Sequence, residues 1–408
     1  MTTSRLDDVL SKWPETRFAF CGIICCMIYL DYAAATPLSE KAKRAMLPYF
    51  DEKFFNPSAA YLPATETRRE YEQAKADIAH VIGAKAADLV MTSGATEANS
   101  LVFASISDDA EVLISAIEHP SILENAKQKK YQTITVDEFG RINLDDLRAK
   151  ITPKTQLVSI CLASSELGTI QPLSDIARII ADERTRRAFA GEKTPIYFHS
   201  DASQGLGLME VKVSRFGVDL LTINAAKVYG PKGIGALYVG HNVRLKPQSH
   251  GGGQELGLRS GTENVPATIA FAAAILDAEK HLYGERKRLA DLRTKFKKLL
   301  AEKVEGVEFL GKEKTQLSNF MPISIPGLDA ERLIFALEEH EVYVSTGAAC
   351  AASKGEKSPT LKAIGLNDVQ IAGSLRITLG RPTSEEDVEK AAEAIARVIA
   401  NERTRLAK

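Results

Sequence analysis

Several polar residues in this 408-residue chain stand directly after apolar runs, where a folded protein presents side chains to a ligand. They are Thr96, Glu118, His119, Asp201, Gln204 and Lys227. A lysine among small and apolar neighbours, such as Lys227, is either a surface side chain or a desolvated one, and burial of an ammonium group frees a nucleophilic amine. Taken singly, each residue also fits a structural role as a snorkelling lysine, helix cap, loop histidine or turn residue. Together they provide a nucleophile, an imidazole, a carboxylate and an anion site.

The elements that must position these residues follow from the alternation of the chain. From residue 40 onward, short β-rich apolar runs alternate with helical patterns, which is typical of an α/β fold with a parallel sheet covered by helices on both faces. We predict one sheet of seven strands, at residues 88–93, 111–117, 132–137, 156–163, 195–201, 218–224 and 235–240. In such sheets ligands collect at the carboxyl ends of the strands, and the polar residues above follow four of the predicted strands. We therefore expect them to meet at one edge.

That arrangement matches what pyridoxal phosphate needs from a protein. A lysine amine attaches the cofactor covalently, a carboxylate keeps its ring nitrogen protonated so that the ring accepts electrons, and a helix N-terminus binds its phosphate. The turn through Gly94, Ala95 and Thr96 joins a predicted strand to a predicted helix and leaves backbone amides for the phosphate.

The composition is that of an ordinary globular protein, with 45% hydrophobic and 26% charged residues, long enough for two domains. A formal net charge of -1 provides no overall attraction to nucleic acid or acidic membranes, so we expect no direct binding to either. Three of the five cysteines crowd at Cys21, Cys25 and Cys26, which is not a disulfide framework and favours a reducing, cytoplasmic location. Because no His or Cys follows them at zinc-like spacing, we predict no metal site.

The chain divides into three predicted regions. Residues 1–26 are expected to be an N-terminal extension outside the fold, and residues 28–275 to form a large α/β domain with an N-terminal arm. After about residue 275 the pattern changes to a long amphipathic helix, short strands and a final helix. Residues 276–408 are therefore predicted to form a smaller α+β domain, which carries the loop around Cys350.

Ordered motifs along residues 28–400 resemble those of the class V aminotransferase superfamily, and are most similar to those of the NifS-like (group I) cysteine desulfurases. The motifs are YLDYAAATP, TSGATE, EH at 118–119, SELG, SDASQG, KVYGPKGIGALYV, HGGGQELGLRSGT, STGAAC and SLRITLGR. The resemblance implies the fold-type I architecture of pyridoxal phosphate enzymes, with a large domain built on a mostly parallel seven-stranded sheet and a smaller α+β C-terminal domain. It also implies pyridoxal 5'-phosphate as the cofactor and a homodimer.

The resemblance further implies a set of cofactor-binding residues, which are Lys227, Asp201, Gln204, His119, Ala95, Thr96, Asn224, Thr262 and Ser165. Lys227 would hold the cofactor, with Asp201 on its ring nitrogen, Gln204 on its phenolic oxygen and His119 stacked on its face. Thr262 would reach the phosphate bound by the neighbouring subunit. Substrate binding would fall to Arg376, whose planar fork suits a carboxylate, and to Asn56.

Cys350 decides the reaction that the resemblance implies. A cysteine among alanines is by itself more often a small buried residue, but STGAAC matches the sulfur-accepting cysteine of the family, on a loop suited to carry a thiolate. The implied activity is a cysteine desulfurase with Lys227, Cys350 and His119 as catalytic residues. It would convert L-cysteine to L-alanine and leave a Cys350 persulfide for a sulfur-acceptor protein, in iron-sulfur cluster assembly or in thiolation.

Three residues depart from the family pattern and keep alternatives open. Ala226 stands where a histidine is usual, Asn224 where a phosphate-binding serine is usual, and Ser165 where an asparagine is usual. One alternative is another class V aminotransferase or lyase, including a selenocysteine lyase, in which Cys350 is incidental. The other is a degenerate paralogue without catalytic activity.

Overall fold

The computed structural model describes residues 27–346 and 357–407. The predicted extension 1–26, with its three cysteines, and the predicted nucleophile Cys350 therefore lie outside the described residues.

Strands and helices are numbered in chain order within the described residues. The strands are β1 (Ile28–Tyr29), β2 (Leu89–Thr92), β3 (Glu111–Ser115), β4 (Lys130–Ile134), β5 (Thr155–Ser159), β6 (Tyr197–Asp201), β7 (Leu220–Asn224), β8 (Gly235–Val239), β9 (Glu308–Phe309), β10 (Ile323–Ser324), β11 (Val342–Tyr343), β12 (Ser345–Thr346) and β13 (Ser374–Arg376). The helices are α1 (Glu40–Met46), α2 (Leu62–Ile82), α3 (Ala95–Ala104), α4 (Pro120–Ala126), α5 (Leu144–Lys150), α6 (Leu173–Ala190), α7 (Val213–Phe216), α8 (Val265–Lys303), α9 (Ala330–Glu338), α10 (Pro359–Ala363), α11 (Asp368–Ala372) and α12 (Glu385–Leu406).

Seven strands form the main sheet in the order β2-β8-β7-β6-β5-β3-β4. Strand β8 runs antiparallel to both of its neighbours, and the other adjacent pairs are parallel. The predicted mostly parallel seven-stranded sheet is confirmed. The predicted strand 156–163 is too long: β5 ends at Ser159, and Cys161 N donates to the side chain of Glu118 instead of to a backbone carbonyl of the sheet.

The carboxyl ends of β3, β5, β6 and β7 share one edge of the sheet because these strands are parallel. Strand β2 points the same way, since only the antiparallel β8 separates it from β7. The segments that carry the predicted polar residues therefore all leave the sheet at this edge.

Alternate residues of the strands enter two different cores, as the period of two in a β-strand requires. Leu89 and Met91 pack in one core with α2, α6 and the first half of α8, whereas Val90 packs in the other with α3 and α4. Helices thus cover both faces of the sheet, which confirms the predicted α/β class.

A further core lies around the four-stranded antiparallel sheet β12-β13-β10-β9. Helix α8 links the cores, because Phe271 and Ile275 pack against the main sheet whereas Leu292 and Phe296 pack with α9 and α12. Strand β1 pairs with β11, so the N-terminal arm, residues 27–39, also joins this third core. The predicted boundary at residues 275–276 falls within α8. We keep the division into two domains as a proposal, with α8 as the shared element.

Candidate active site

Lys227 lies at the sheet edge, against the N-terminal arm. A single 3-10 turn, Ala225–Lys227, follows β7 and is capped by the Asn224 side chain, which accepts a hydrogen bond from Ala226 N at 3.2 Å. The half-buried Lys227 Nζ donates to the carbonyl oxygens of Ala33 at 2.8 Å and Ala34 at 2.5 Å. The amine therefore lies against the N-terminal arm, and Lys227 lines a cleft together with Tyr32 and Gln204.

Asp201 ends β6 as a buried carboxylate that is held by two donors. Asn99 Nδ2 donates to its Oδ2 and the Ser203 N–H to its Oδ1, both at 2.9 Å. Gln204 Nε2 donates to Ala33 O at 3.0 Å, the same carbonyl oxygen that Lys227 contacts. The two hydrogen bonds to Asp201 fix the orientation of its carboxylate, and the shared acceptor places Gln204 beside the lysine amine.

His119 begins helix α4 as its N-cap. Its Nδ1 accepts a hydrogen bond from Ser121 N at 3.1 Å and lies 2.9 Å from Ser121 Oγ, which also accepts from Asn99 Nδ2. Because Nδ1 is the acceptor, we assign the ring proton to Nε2. The residue is exposed in the protomer, but partial desolvation of its ring lowers the pKa below the usual value, although the negative charge of Asp201 opposes this shift. The imidazole is therefore neutral and ready to stack on an aromatic ligand.

The neighbouring Glu118 carries a proton to unusually high pH. Burial raises the pKa of its carboxyl to about 8, although its Oε1 accepts a hydrogen bond from Cys161 N at 2.8 Å. Among the described residues, no partner lies within hydrogen-bonding distance of its buried Oε2. Burial also raises the pKa of the Cys161 thiol far above its usual range, so Cys161 is not a nucleophile at neutral pH.

The start of helix α3 forms an anion site at the same edge. Its N-cap is Gly94, whose φ of 148° is unfavourable for residues with a side chain, and no side chain caps the helix. A Cβ on Gly235 of β8 would lie 2.8 Å from Gly94 Cα, so glycine there permits the close approach of the two backbones. The amides of the first turn, next to Ala95 and the exposed Thr96, are left for an anion.

Arg376 brings a buried positive charge to the cleft. Its Nη2 donates to Asp31 Oδ1 at 2.7 Å and its Nη1 to Ser165 O at 3.0 Å. Within residues 27–346 and 357–407, the buried Nε–H has no hydrogen-bond partner. Burial raises the pKa of Asp31, although the charge of Arg376 opposes this shift. The guanidinium thus keeps one buried donor for a ligand.

Two predicted residues lie apart from this cluster in the protomer. Asn56 is exposed, and its Oδ1 accepts a hydrogen bond from Ser58 N at 2.9 Å. Thr262 is also exposed, at the end of a loop that Arg259 joins to Glu97 by an ion pair of 3.0 Å. In the part of the chain that the structure describes, neither Asn56 nor Thr262 has a hydrogen bond to the residues around Lys227.

Comparison with known proteins decides the family. Residues 28–391 match the aminotransferase class-V family. The chain is also 37% identical over 387 residues to the cysteine desulfurase IscS of Dictyoglomus turgidum, covering 92% of this chain and 95% of that protein. The chain belongs to the class-V aminotransferases, together with the NifS/IscS cysteine desulfurases. Enzymes of this family depend on pyridoxal phosphate.

Another relative and two solved structures support the same assignment. Cysteine desulfurase IscS 1 of Archaeoglobus fulgidus is 37% identical over 383 residues, covering 91% of this chain and 97% of that protein. The solved structure of a NifS-like protein is similar with a TM-score of 0.84 at 29% identity, over 92% of this chain and all of that one (100%). The structure of SspA in complex with cysteine is similar with a TM-score of 0.73 at 31% identity, over 86% of this chain and 98% of that one. The family and fold class predicted from the motifs are confirmed.

Two further residues of this class-V site, Asp31 and Asn99, were not predicted from the sequence. Asp31 belongs to the motif YLDYAAATP and carries the charge that pairs with the buried Arg376. Asn99 stands four residues after Ala95, and this spacing places both on one face of α3. The motif could have indicated Asp31 and the helix face could have indicated Asn99, but the partner of each residue is distant in sequence.

Proposed function

We propose that this class-V aminotransferase is a cysteine desulfurase that transfers the sulfur of L-cysteine to Cys350 and releases L-alanine. The observation that carries the proposal is that Lys227 and the oriented Asp201 follow neighbouring strands at one sheet edge, with the buried Arg376 of β13 bound to Asp31 of the N-terminal arm. The chain is also 37% identical to IscS cysteine desulfurases. The alternatives, another class V aminotransferase or lyase and a degenerate paralogue, are not favoured by these relatives.

The side chains at this edge fit pyridoxal phosphate. Lys227 supplies the amine that would attach it, Asp201 would pair with its ring nitrogen, and Gln204 would bond its phenolic oxygen. The uncapped start of α3, with Thr96, would hold the phosphate, and the neutral ring of His119 would stack on the heterocycle. When bound, the cofactor withdraws electrons from the substrate Cα and so acidifies its proton.

Three residues of this chain carry out the steps of the proposed reaction. Arg376 binds the carboxylate of L-cysteine, with Ser165 beside it, and Lys227 Nζ removes the Cα proton. The Cys350 thiolate attacks the substrate sulfur, so that an S–S bond forms as the substrate C–S bond breaks. Cβ takes up one proton released from the two thiols, and Cα takes back the proton held by Lys227, which completes L-alanine. L-cysteine and the Cys350 thiol thus give L-alanine and the Cys350 persulfide, with no external oxidant.

The proposed activity is tested by incubating the purified protein, supplied with pyridoxal phosphate, with L-cysteine and excess dithiothreitol. Because dithiothreitol releases the persulfide sulfur, alanine and sulfide are expected in equal amounts over many turnovers. Formation of a 2-oxo acid in place of alanine would assign an aminotransferase. A colourless protein without turnover would assign a degenerate paralogue.

Replacing Arg376 with lysine is expected to raise the KM for L-cysteine by roughly 10- to 100-fold, with a smaller change in kcat. A lysine cannot bind Asp31 and Ser165 O through a planar fork and still present a fixed N–H to the substrate carboxylate, and a hydrogen bond to a charged group contributes about 1.5–3 kcal/mol. The matched control is R332K, since Arg332 is an exposed residue of α9 that is bound to Glu402 at 2.7 Å. Steady-state alanine formation measures both constants, and an unchanged KM in R376K would remove Arg376 from substrate binding.

A homodimer remains part of the proposal. Phe54 and Tyr61 expose 67% and 54% of their surface, and Phe55 lies between them at ring-centroid distances of 4.7 and 6.1 Å. An exposed aromatic cluster of this kind is typical of a surface that another chain covers. We propose that a second copy covers it, as the exposed Thr262 also requires if it is to reach the neighbouring phosphate.

We propose a sulfur-acceptor protein as the partner that removes sulfur from Cys350. The cytoplasmic location predicted from the cysteine pattern also stays a proposal. In residues 27–346 and 357–407, each helix is too short or too polar to cross a bilayer.

A further inference from the structure

A rigid turn beside the proposed substrate site presents Glu166. Ser164 O accepts a hydrogen bond from Gly168 N at 2.8 Å, and Gly168 has a φ of 70°. A Cβ on Gly168 would lie 2.4 Å from the Phe320 ring, so only glycine fits this close packing. The turn is also held from behind, where Gln316 Nε2 donates to Leu167 O at 2.6 Å. These contacts hold the backbone at Glu166 in one conformation.

This turn makes hydrogen bonds to two different parts of the chain. The carbonyl oxygen of Ser165 accepts from Arg376, whereas the Glu166 Oε2 accepts from Ser358 Oγ at 2.5 Å. Thr360 also hydrogen-bonds to the Glu166 carboxylate, and both Ser358 and Thr360 are buried. Glu166 therefore links the turn that binds Arg376 to the start of helix α10.

Apolar contacts also hold the turn against helix α10. Leu167, the next residue of the turn, packs in one cluster with Leu361 and Ile364. Ser358 Oγ also accepts from Leu361 N at 3.0 Å and so caps α10. Helix α10 is thus docked on the turn by an apolar contact and by the hydrogen bond of Glu166 at its N-terminal end.

The contact between the turn and helix α10 lies close in sequence to Cys350, the proposed nucleophile. Ser358 stands eight residues after Cys350, and Thr346 stands four residues before it. Thr346 pairs with Leu375 in β13, the strand that carries Arg376. Both described ends of the segment that contains Cys350 are therefore attached next to Arg376, one through β13 and the other through Glu166.

We propose that Glu166 is a positioning residue, which anchors the chain on the C-terminal side of Cys350 for sulfur transfer. This inference rests on the proposed desulfurase function for its kinetic consequence, but the anchor itself can be measured without turnover. Glu166 acts through Ser358 and Thr360 and has no chemical role in the step.

The kinetic test compares E166A with E166Q. In E166A, the buried hydroxyl of Ser358 loses its acceptor, so kcat for alanine formation is expected to fall about tenfold while the KM for L-cysteine changes less than about twofold. In E166Q, the amide oxygen still accepts from Ser358, and kcat is expected to stay within about threefold of the unmodified protein. A proportional rise of KM, or an equal loss of kcat in E166A and E166Q, would overturn the proposed role.

The anchor is tested independently by the rate at which trypsin cleaves after Lys357, the exposed residue directly before Ser358. Mass spectrometry of the products measures this rate. Cleavage is expected to be about tenfold faster in E166A than in the unmodified protein, because local opening at this point becomes easier. It is expected to be unchanged in E166Q and in E338A, which removes an exposed carboxylate of α9. Cleavage of E166A at the unmodified rate would overturn the anchor, whereas absence of alanine formation in the unmodified protein would overturn only the proposed function.

Discussion

Replacing Lys227 with alanine is expected to lower kcat for L-cysteine by about 10²- to 10⁴-fold, the range associated with loss of a positioned general base. The amine of Lys227 is the group that both attaches the cofactor and removes the Cα proton in the proposed reaction. K227R is expected to be as inactive as K227A, because a guanidinium keeps the positive charge but cannot give up its proton. Alanine formation under excess L-cysteine measures the effect.

Lys232 provides a matched control for Lys227. Its Nζ also donates to a backbone carbonyl of the N-terminal arm, that of Thr36 at 2.8 Å, but it lies outside the proposed chemistry. K232A is expected to retain kcat, so a loss in K227A alone would show a chemical role. If K227A kept the turnover of the unmodified protein, the proposed function of Lys227 would be wrong.

Replacing Cys350 with alanine is expected to lower alanine and sulfide formation by at least about a hundredfold, since it removes the nucleophile that breaks the C–S bond. The variant should still bind pyridoxal phosphate and show its visible absorption, because no cofactor-binding role falls to Cys350. Loss of turnover with retained cofactor distinguishes a missing sulfur acceptor from a misfolded protein.

Cys161 is the matched control for Cys350. Its thiol is buried and its pKa is raised far above neutrality by burial, so it is not expected to accept sulfur. C161A should therefore keep the activity, since the backbone N–H that binds Glu118 remains in this variant. Turnover that survives in C350A would instead indicate an aminotransferase or a lyase in which Cys350 is incidental.

The fold was predictable because its signals are local and repeat along the chain. Short apolar runs between amphipathic helices predicted the seven strands, and the rule that ligands collect at the carboxyl ends of parallel strands selected Asp201 and Lys227. The limits of single strands were less predictable. Ile160 and Leu162 still donate to carbonyl oxygens of β6, but Cys161 between them donates to Glu118, so an apolar run overstates the length of β5.

Partners that are distant in sequence could not be predicted from local patterns. Asp31 and Arg376 form an ion pair across 345 positions, and Glu166 meets Ser358 across 192. No periodicity encodes such contacts, because they depend on how β13 and α10 dock against the N-terminal arm and the turn at Ser164. The polar residues of the sheet edge were found because each follows its own strand.

Reduction with borohydride followed by peptide mass mapping tests the central claim most directly. The protein, supplied with pyridoxal phosphate, is treated with borohydride, digested and searched for the peptide that carries the reduced cofactor. The account predicts a single labelled side chain, Lys227, and loss of the label in K227A but not in K232A. A label on another lysine, or a protein that takes up no cofactor, would contradict the proposed site and the function built on it.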